Sequence, residues 1–423
     1  MWILDLADAG IKLSDDGEVV YDEPGLALVD PKSLVFGSEA LAQIKLHPDR
    51  EQSQYWQRMD QSAVHPPGFA VETQADLVYR QLLSMKEQSG LSSDDQLWVA
   101  VPSDLSNTQL ALLYGIAVQA ELNVLDFLDR GVAAAASVDV GDTCAFVEIG
   151  LHRSVVTKLQ VDNVVSKNRT SIAPRTGLLS LMNSWIKLAT DKFLDTARFD
   201  PRKFAETEQQ VFNQLLEFVA LDEDIHVIHV EHQGNSRQVE VSRAELVAAT
   251  KARMTDVLAP VEHGCPVLLS DDSAALPGIV EALNDEGSKC FSCTVSDIAA
   301  AASRTSASKG TSDARSLHVE IPHVNKARSQ IHHESHSLPD ATHVLRQSIA
   351  HAIGTEFAAT DQRDGTTDFA IRRNARGLVV VPSSHATVLL NGERIHGEAP
   401  TKTGDSIVAG SIAYQLIAVG ENG

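Results

Sequence analysis

The chain has 423 residues, 43% of them hydrophobic, which suffices for two or three domains that each bury a core. Its 35 basic and 57 acidic residues leave a formal charge of −22, and because 12 of each sign lie from Ser303 to Gly423, the whole excess falls on residues 1–302. Such a surface repels nucleic acid and anionic membrane and points to proteins as partners. The opening MWILDLADAGIKL lacks the basic start and long apolar stretch of a secretory leader. No later run reaches the roughly 20 apolar residues of a bilayer span, so a cytoplasmic location without membrane insertion is expected.

Residues 2–6 (WILDL) read as a short apolar strand, and residues 18–21 and 26–29 as further strands of an opening meander. LWVAV, at 97–101, is a buried strand ending at Pro102, followed by helical spacing over 106–121, a strand at 123–127 and an Ala-rich helix from Val132. Strands at 144–149 and 154–159 then repeat the meander, as expected of an α/β domain with two related halves. Residues 176–255 read as a mainly helical inserted lobe, 267–269 as a strand and 278–283 as a helix. From Ser303 to Ala314 the composition turns to Ser, Thr, Ala and Gly, so the first domain is expected to end near 305 and a linker to fill 306–341. Beyond it, short strands punctuated by NG, HG, TG and AG steps predict a small β-sandwich over 342–423.

Cys144, Cys265, Cys290 and Cys293 are too few for a disulfide framework, and the CxxC of Cys290 and Cys293 has no second ligand pair, so structural thiols are expected. His318, His323, His332, His333, His336 and His343 crowd one stretch. Proximity in sequence does not make ligands converge, so no metal site is expected, while titration near pH 6.5 is.

The element order over about residues 1–305 resembles the superfamily of actin, bacterial actin-like filament proteins and the seventy-kilodalton heat-shock chaperones. The resemblance implies a two-lobed, ribonuclease-H-like ATPase fold that clasps nucleotide phosphates between two hairpins rich in Gly, Ser and Thr. ILDLADAGIKL resembles the first hairpin, with Asp5 at the magnesium-shell carboxylate and Lys12 at a phosphate-contacting Lys. Its turn glycine is Ala7, and Asp8 stands at the hydroxyl position, where a carboxylate 4 Å from a phosphate costs about 4 kcal/mol at an effective dielectric of 20; a surface turn is the expectation. CAFVEIGLHRSVV resembles the second hairpin: Glu148 replaces an Asp and Gly150 survives, but Leu151, His152 and Arg153 fill the small-residue positions, either as a solvated turn or as an anion clamp. VLLSDDSAALPGIVEAL resembles the adenosine motif through Ser273, Leu276 and Pro277, with Asp271 and Asp272 in place of two glycines and well suited to a helix start. The family's catalytic carboxylate falls on Arg130, which cannot accept a proton from water.

Residues 342–419 resemble a forkhead-associated domain through Ala352 to Gly354, Leu389 to Ile395, and Gly404, Asp405, Ile407 and Gly410. The phosphopeptide-gripping Arg is Thr355, the loop positions are Thr366, Thr367, Asp368 and Phe369, and a later Asn-Gly is Ala386 and Thr387; Arg372, Arg373 and Arg376 lie close by.

The resemblances together imply a non-hydrolysing scaffold that docks protein partners, with no catalytic residue beyond vestigial Asp5 and Glu148. A vestigial nucleotide cleft of Asp5, Lys12, Gly150 and Ser273 remains, with no cofactor and no metal. Two alternatives stay open: a divergent magnesium-dependent ATPase, chaperone-like or filament-forming, that uses ATP through Asp5, Lys12 and Glu148, and a phosphopeptide-reading adaptor.

Overall fold

Four residues of the first strand, Trp2–Asp5, occupy the middle of a six-stranded sheet, and their position follows from their apolar character on both faces. From one edge the sheet runs Leu317–His318, Asn123–Asp129, Gln96–Val101, Trp2–Asp5, Ile11–Asp15 and Glu18–Glu23. The first four are parallel and the last two return as an antiparallel meander. A second six-stranded sheet runs Cys290–Cys293, Val267–Ser270, Thr143–Ile149, Arg153–Val161, Val164–Pro174 and Glu320–Pro322, three parallel strands and then antiparallel ones. Without the two edge strands contributed by residues 317–322, the sheets repeat one connectivity: a three-stranded meander, then two parallel strands added on the far side of its first.

The computed structural model describes residues 1–68, 71–221, 223–308, 315–324, 341–346, 349–360, 366–374, 377–410 and 412–417. The architecture is mixed α/β, and the chain divides into two units, Met1–Ile331 and His332–Gly423. In the first unit, helices Gln74–Ser89 and Asn107–Gln119, each started by a capping box, cover one face of the first sheet through Leu77, Val78 and Leu113. Its other face, with Ile3, Trp98 and Leu128, shares a core with Phe146, Leu159 and Val161 of the second sheet. Helix Arg130–Ser137 lies in that core, where Ala133 to Ala136 are fully buried and their small side chains let it pack against helix Val295–Ser308. Each large side chain sealed there, such as Trp98 or Phe146, contributes roughly 2–3 kcal/mol.

Three expectations are refined. The inserted region is mainly helical, with helices Leu178–Ala197, Ala205–Ala220 and Arg243–Leu258, but between the last two stands an unexpected hairpin, Ile225–His232 paired with Asn235–Ser242, which turns at Gln233 and Gly234 with φ of 51° and 74°. Ile228, Val230, Val239 and Val241 are its buried side. The opening meander also loses the strand expected at 26–29, since Ala27–Val29 joins a separate three-stranded sheet. Third, the stretch expected as linker is partly structure. The helix from Val295 reaches Ser308, and residues 317–322 bridge both sheets: His318 Nε2 lies 2.7 Å from the buried Asp126 carboxylate, the Ser316 N–H donates to it at 2.5 Å, and Val165 pairs with Ile321.

The second unit has two antiparallel sheets, one of six and one of four strands, that share a core of Val344, Phe369, Ile371, Val380, Ile407 and Leu416. The expected tight turn at Asn391 and Gly392 forms, with φ of 51° and 86°. Asp405 fixes the neighbouring loop by accepting from Thr401 Oγ1 (2.9 Å), the Lys402 N–H (2.8 Å) and Asn391 Nδ2 (3.0 Å). Burial alone would raise its pKa, but these bonds prevail and lower it.

Candidate functional site

Asp5 ends the first strand of the first sheet and Glu148 lies near the end of the first strand of the second, so the repeated connectivity brings two carboxylates to equivalent places. Arg130 opens the helix between them. Its helix is capped by Asp129, whose carboxylate accepts from the Val132 N–H (3.2 Å), Ser103 Oγ (2.7 Å) and Lys167 Nζ (2.7 Å), and this fixes where the next side chain begins. The Arg130 guanidinium grips Asp5 in a fork, Nε to Oδ1 at 2.5 Å and Nη2 to Oδ2 at 3.0 Å. Its Nη1 lies 3.0 Å from Glu148 Oε2, an ion pair whose N–H is not aimed at the oxygen. All three residues are at most 5% exposed.

Burial opposes the charge on Arg130, yet Asp5 and Glu148 outweigh it and raise its pKa. One guanidinium cannot neutralise two buried carboxylates, and desolvation pushes Glu148 up to about 7 against the pull of Arg130. Arg130, which the resemblance set at a water-orienting position, is thus the cation that joins Asp5 and Glu148.

The remaining candidates are also satisfied within the chain. Asp8 is no surface turn: its Oδ1 accepts the Leu151 N–H of the second hairpin at 2.8 Å, and burial raises its pKa. A Cβ at Gly150 would collide with that carboxylate, so glycine there serves the contact between the hairpins. Leu151 is fully buried, Arg153 pairs with Asp104 at 2.5 Å and His152 Nε2 meets Ser53 Oγ at 2.8 Å, so this turn is neither solvated nor a free anion clamp. Lys12 Nζ lies 2.7 Å from both Asp272 oxygens; burial lowers its pKa, and Asp272 more than offsets this. Asp271 and Asp272 do start a short helix, Asp271–Ala274, behind the cap Ser270, while Ser273 Oγ accepts the Ile149 N–H at 3.0 Å. The partners Ser53 and Asp104 carried no signal in the sequence, and only the fold brings them in.

Little room is left. Asp5, Lys12, Arg130, Asp271 and Asp272 line a cavity of about 10 Å³, and Asp8, Trp56, Asp104, Glu148 and Gly150 line one of about 40 Å³. A water needs some 10–15 Å³ and a ligand site roughly 300–1,000 Å³.

Among the described residues no group of His, Cys, Asp and Glu is arranged to hold a metal ion, and no helix is long and apolar enough to cross a membrane. His318 pairs with Asp126, and His323 meets the Val138 carbonyl at 3.1 Å; His332, His333 and His336 lie outside the described residues. The four thiols are free, and burial raises the pKa of each, that of Cys144 to about 12. In the second unit Thr355 is exposed, Arg372 pairs with Glu356 at 2.9 Å, and Arg373 donates to the Ala341 carbonyl at 3.2 Å. Phe369 is core rather than loop, and Arg376 lies outside the described residues. No family model matches the chain, and no curated protein matches it.

Proposed function

We propose that residues 1–331 are an actin- or heat-shock-70-like ATPase fold that has stopped hydrolysing nucleotide, and that the protein works in the cytoplasm as a scaffold for other proteins. One observation carries the reading: the Arg130 guanidinium sits between Asp5 and Glu148, where that family coordinates a divalent cation, and the space beside it is about 10 Å³. Asp8 takes a backbone N–H of the second hairpin that a phosphate oxygen takes in the family, and Asp272 takes Lys12. Nucleotide would have to displace three internal contacts, each charge-assisted bond worth about 1.5–3 kcal/mol, before making its own. The repeated connectivity of the two sheets supports the fold assignment. The two-sheeted second unit fits a forkhead-associated-like module that recognises its partner without phosphate, because its nearby Arg372 is already paired with Glu356.

Isothermal titration with magnesium-ATP, paired with a phosphate-release assay, tests this. The expected result is no saturable heat below the millimolar range and no release. Micromolar binding that is lost in Lys12→Ala would replace this reading with that of a divergent ATPase.

A further inference from the structure

A groove of about 410 Å³ runs on the outer side of the first unit between helices Arg243–Leu258 and Ile279–Asp285. It takes no part in the cleft. Helix Arg243–Leu258 buries Leu246, Thr250, Met254 and Val257, and turns a second stripe, Val247, Lys251, Thr255 and Leu258, to the groove. The opposite wall is low because it presents Gly278 and Ala282. Gly278 has φ of +100°, and an added Cβ would come within 3.3 Å of Thr250 Oγ1, so the helices meet at that end and part from there.

Two independent features point to an occupant. Ser288 is 5% exposed, lines the groove, and its Oγ has no hydrogen-bond partner. A buried hydroxyl without a partner costs about 1–3 kcal/mol, which a donor or acceptor arriving from outside removes. The rim is acidic on balance: beside the exposed Lys251 and His263, Asp285 and Glu286 are exposed and make no ion pair among the described residues, whereas Glu262 is held by Lys158 and Glu281 caps its own helix through the Gly278 N–H. The accessible apolar surface between them comes from Val247, Ala259, Val261 and Ala282, over the buried Leu258 and Leu283.

We infer that this groove is the docking site for a basic amphipathic helix of a protein partner, whose apolar stripe lies on Val247, Ala259, Val261 and Ala282 and whose Lys or Arg side chains meet Asp285 and Glu286. A third helix set into the furrow between two others is ordinary ridge-into-groove packing, and the stripe from Val247 to Leu258 offers about 16 Å, or three turns. Charge selects the partner, since the −22 protein repels an acidic helix. The inference rests on the partner-docking part of the reading above and not on the closed cleft.

The probe is a fluorescein-labelled 16-residue helical peptide with Leu at every third or fourth position and Lys elsewhere, titrated into the full chain by anisotropy. Saturable micromolar binding is expected, weakened at least about tenfold by Asp285→Lys/Glu286→Lys and by Val261→Glu, and changed less than about twofold by Glu18→Lys/Asp162→Lys, which removes the same charge elsewhere. Circular dichroism checks that each variant is folded, and hydrogen exchange on the wild type should show protection confined to residues 247–263 and 278–288. No saturable binding, equal weakening by the Glu18→Lys/Asp162→Lys control, or protection elsewhere overturns the proposal. Failure of the peptide with magnesium-ATP still inert removes the groove and leaves the inert-cleft reading standing; ATP binding with the peptide still docking does the reverse.

Discussion

The first unit holds two concave regions of opposite chemistry. In the cleft Asp5 and Glu148 are met by Arg130, Lys12 by Asp272, Arg153 by Asp104, and Asp8 by a backbone N–H, while Asp271 makes no ion pair among the described residues. In the groove between the two outer helices, Asp285 and Glu286 lack a described ion pair, Ser288 Oγ lacks a partner, and about 410 Å³ is open, against about 10 Å³ and about 40 Å³ in the two cavities of the cleft. Resemblance to a nucleotide cleft therefore says little about whether a ligand would gain by entering it. Unsatisfied polar groups beside open apolar surface say more, because a site must gain something when it is filled.

The contrast breaks most readily at Arg130. Arg130→Ala leaves two buried carboxylates without their cation and is expected to destabilise the protein by about 3–5 kcal/mol in urea unfolding. A loss below about 1 kcal/mol would mean that the cleft does not depend on its internal cation. Glu148→Gln sharpens the same point through pH. The folded pKa of Glu148 is raised from 4.5 to about 7, so the folded chain holds a proton that the unfolded chain has released. Stability from this group is therefore present at low pH and falls as pH rises from about 4.5 through about 7, by something on the order of 3 kcal/mol. Glu148→Gln should flatten that slope, and identical slopes in wild type and variant would show that Glu148 does not titrate there. The smallest effect belongs to the groove: Ser288→Ala removes a buried hydroxyl that has no partner, so stability should rise by about 1 kcal/mol in urea unfolding. A loss of more than about 1 kcal/mol would mean that the hydroxyl is already bonded, and would weaken the case for an occupant.

Much of the framework was legible because the signals were local. LWVAV is apolar on both faces and became a central parallel strand, and Asn391 and Gly392 formed the turn that their backbone preferences require. The hairpin at Ile225–His232 and Asn235–Ser242 carried the same kind of period-two signal in Ile228, Val230, Val239 and Val241, but the helical segments on both sides masked it. In the cleft, sequence identified where the residues depart from the resemblance and not which partners they meet. Asp5 and Arg130 are 125 residues apart, and Lys12 and Asp272 are 260 apart, so no spacing rule links them. Read singly, Asp8 and Arg130 are misplaced charges; read in space, each is the other half of a contact.

The six residues 317–322 have a consequence for how the chain is made. They pair Phe127 with Leu317 and Val165 with Ile321, across 190 and 156 positions of sequence. Contacts of such separation carry a high loop-closure cost and form late. During synthesis both sheets must wait, each with an open edge beside Asn123–Asp129 and Val164–Pro174, until residue 322 has left the ribosome. The nascent chain is thus most exposed to edge-to-edge association just before its first unit is complete, and a fragment cut near residue 305 would stay in that state permanently.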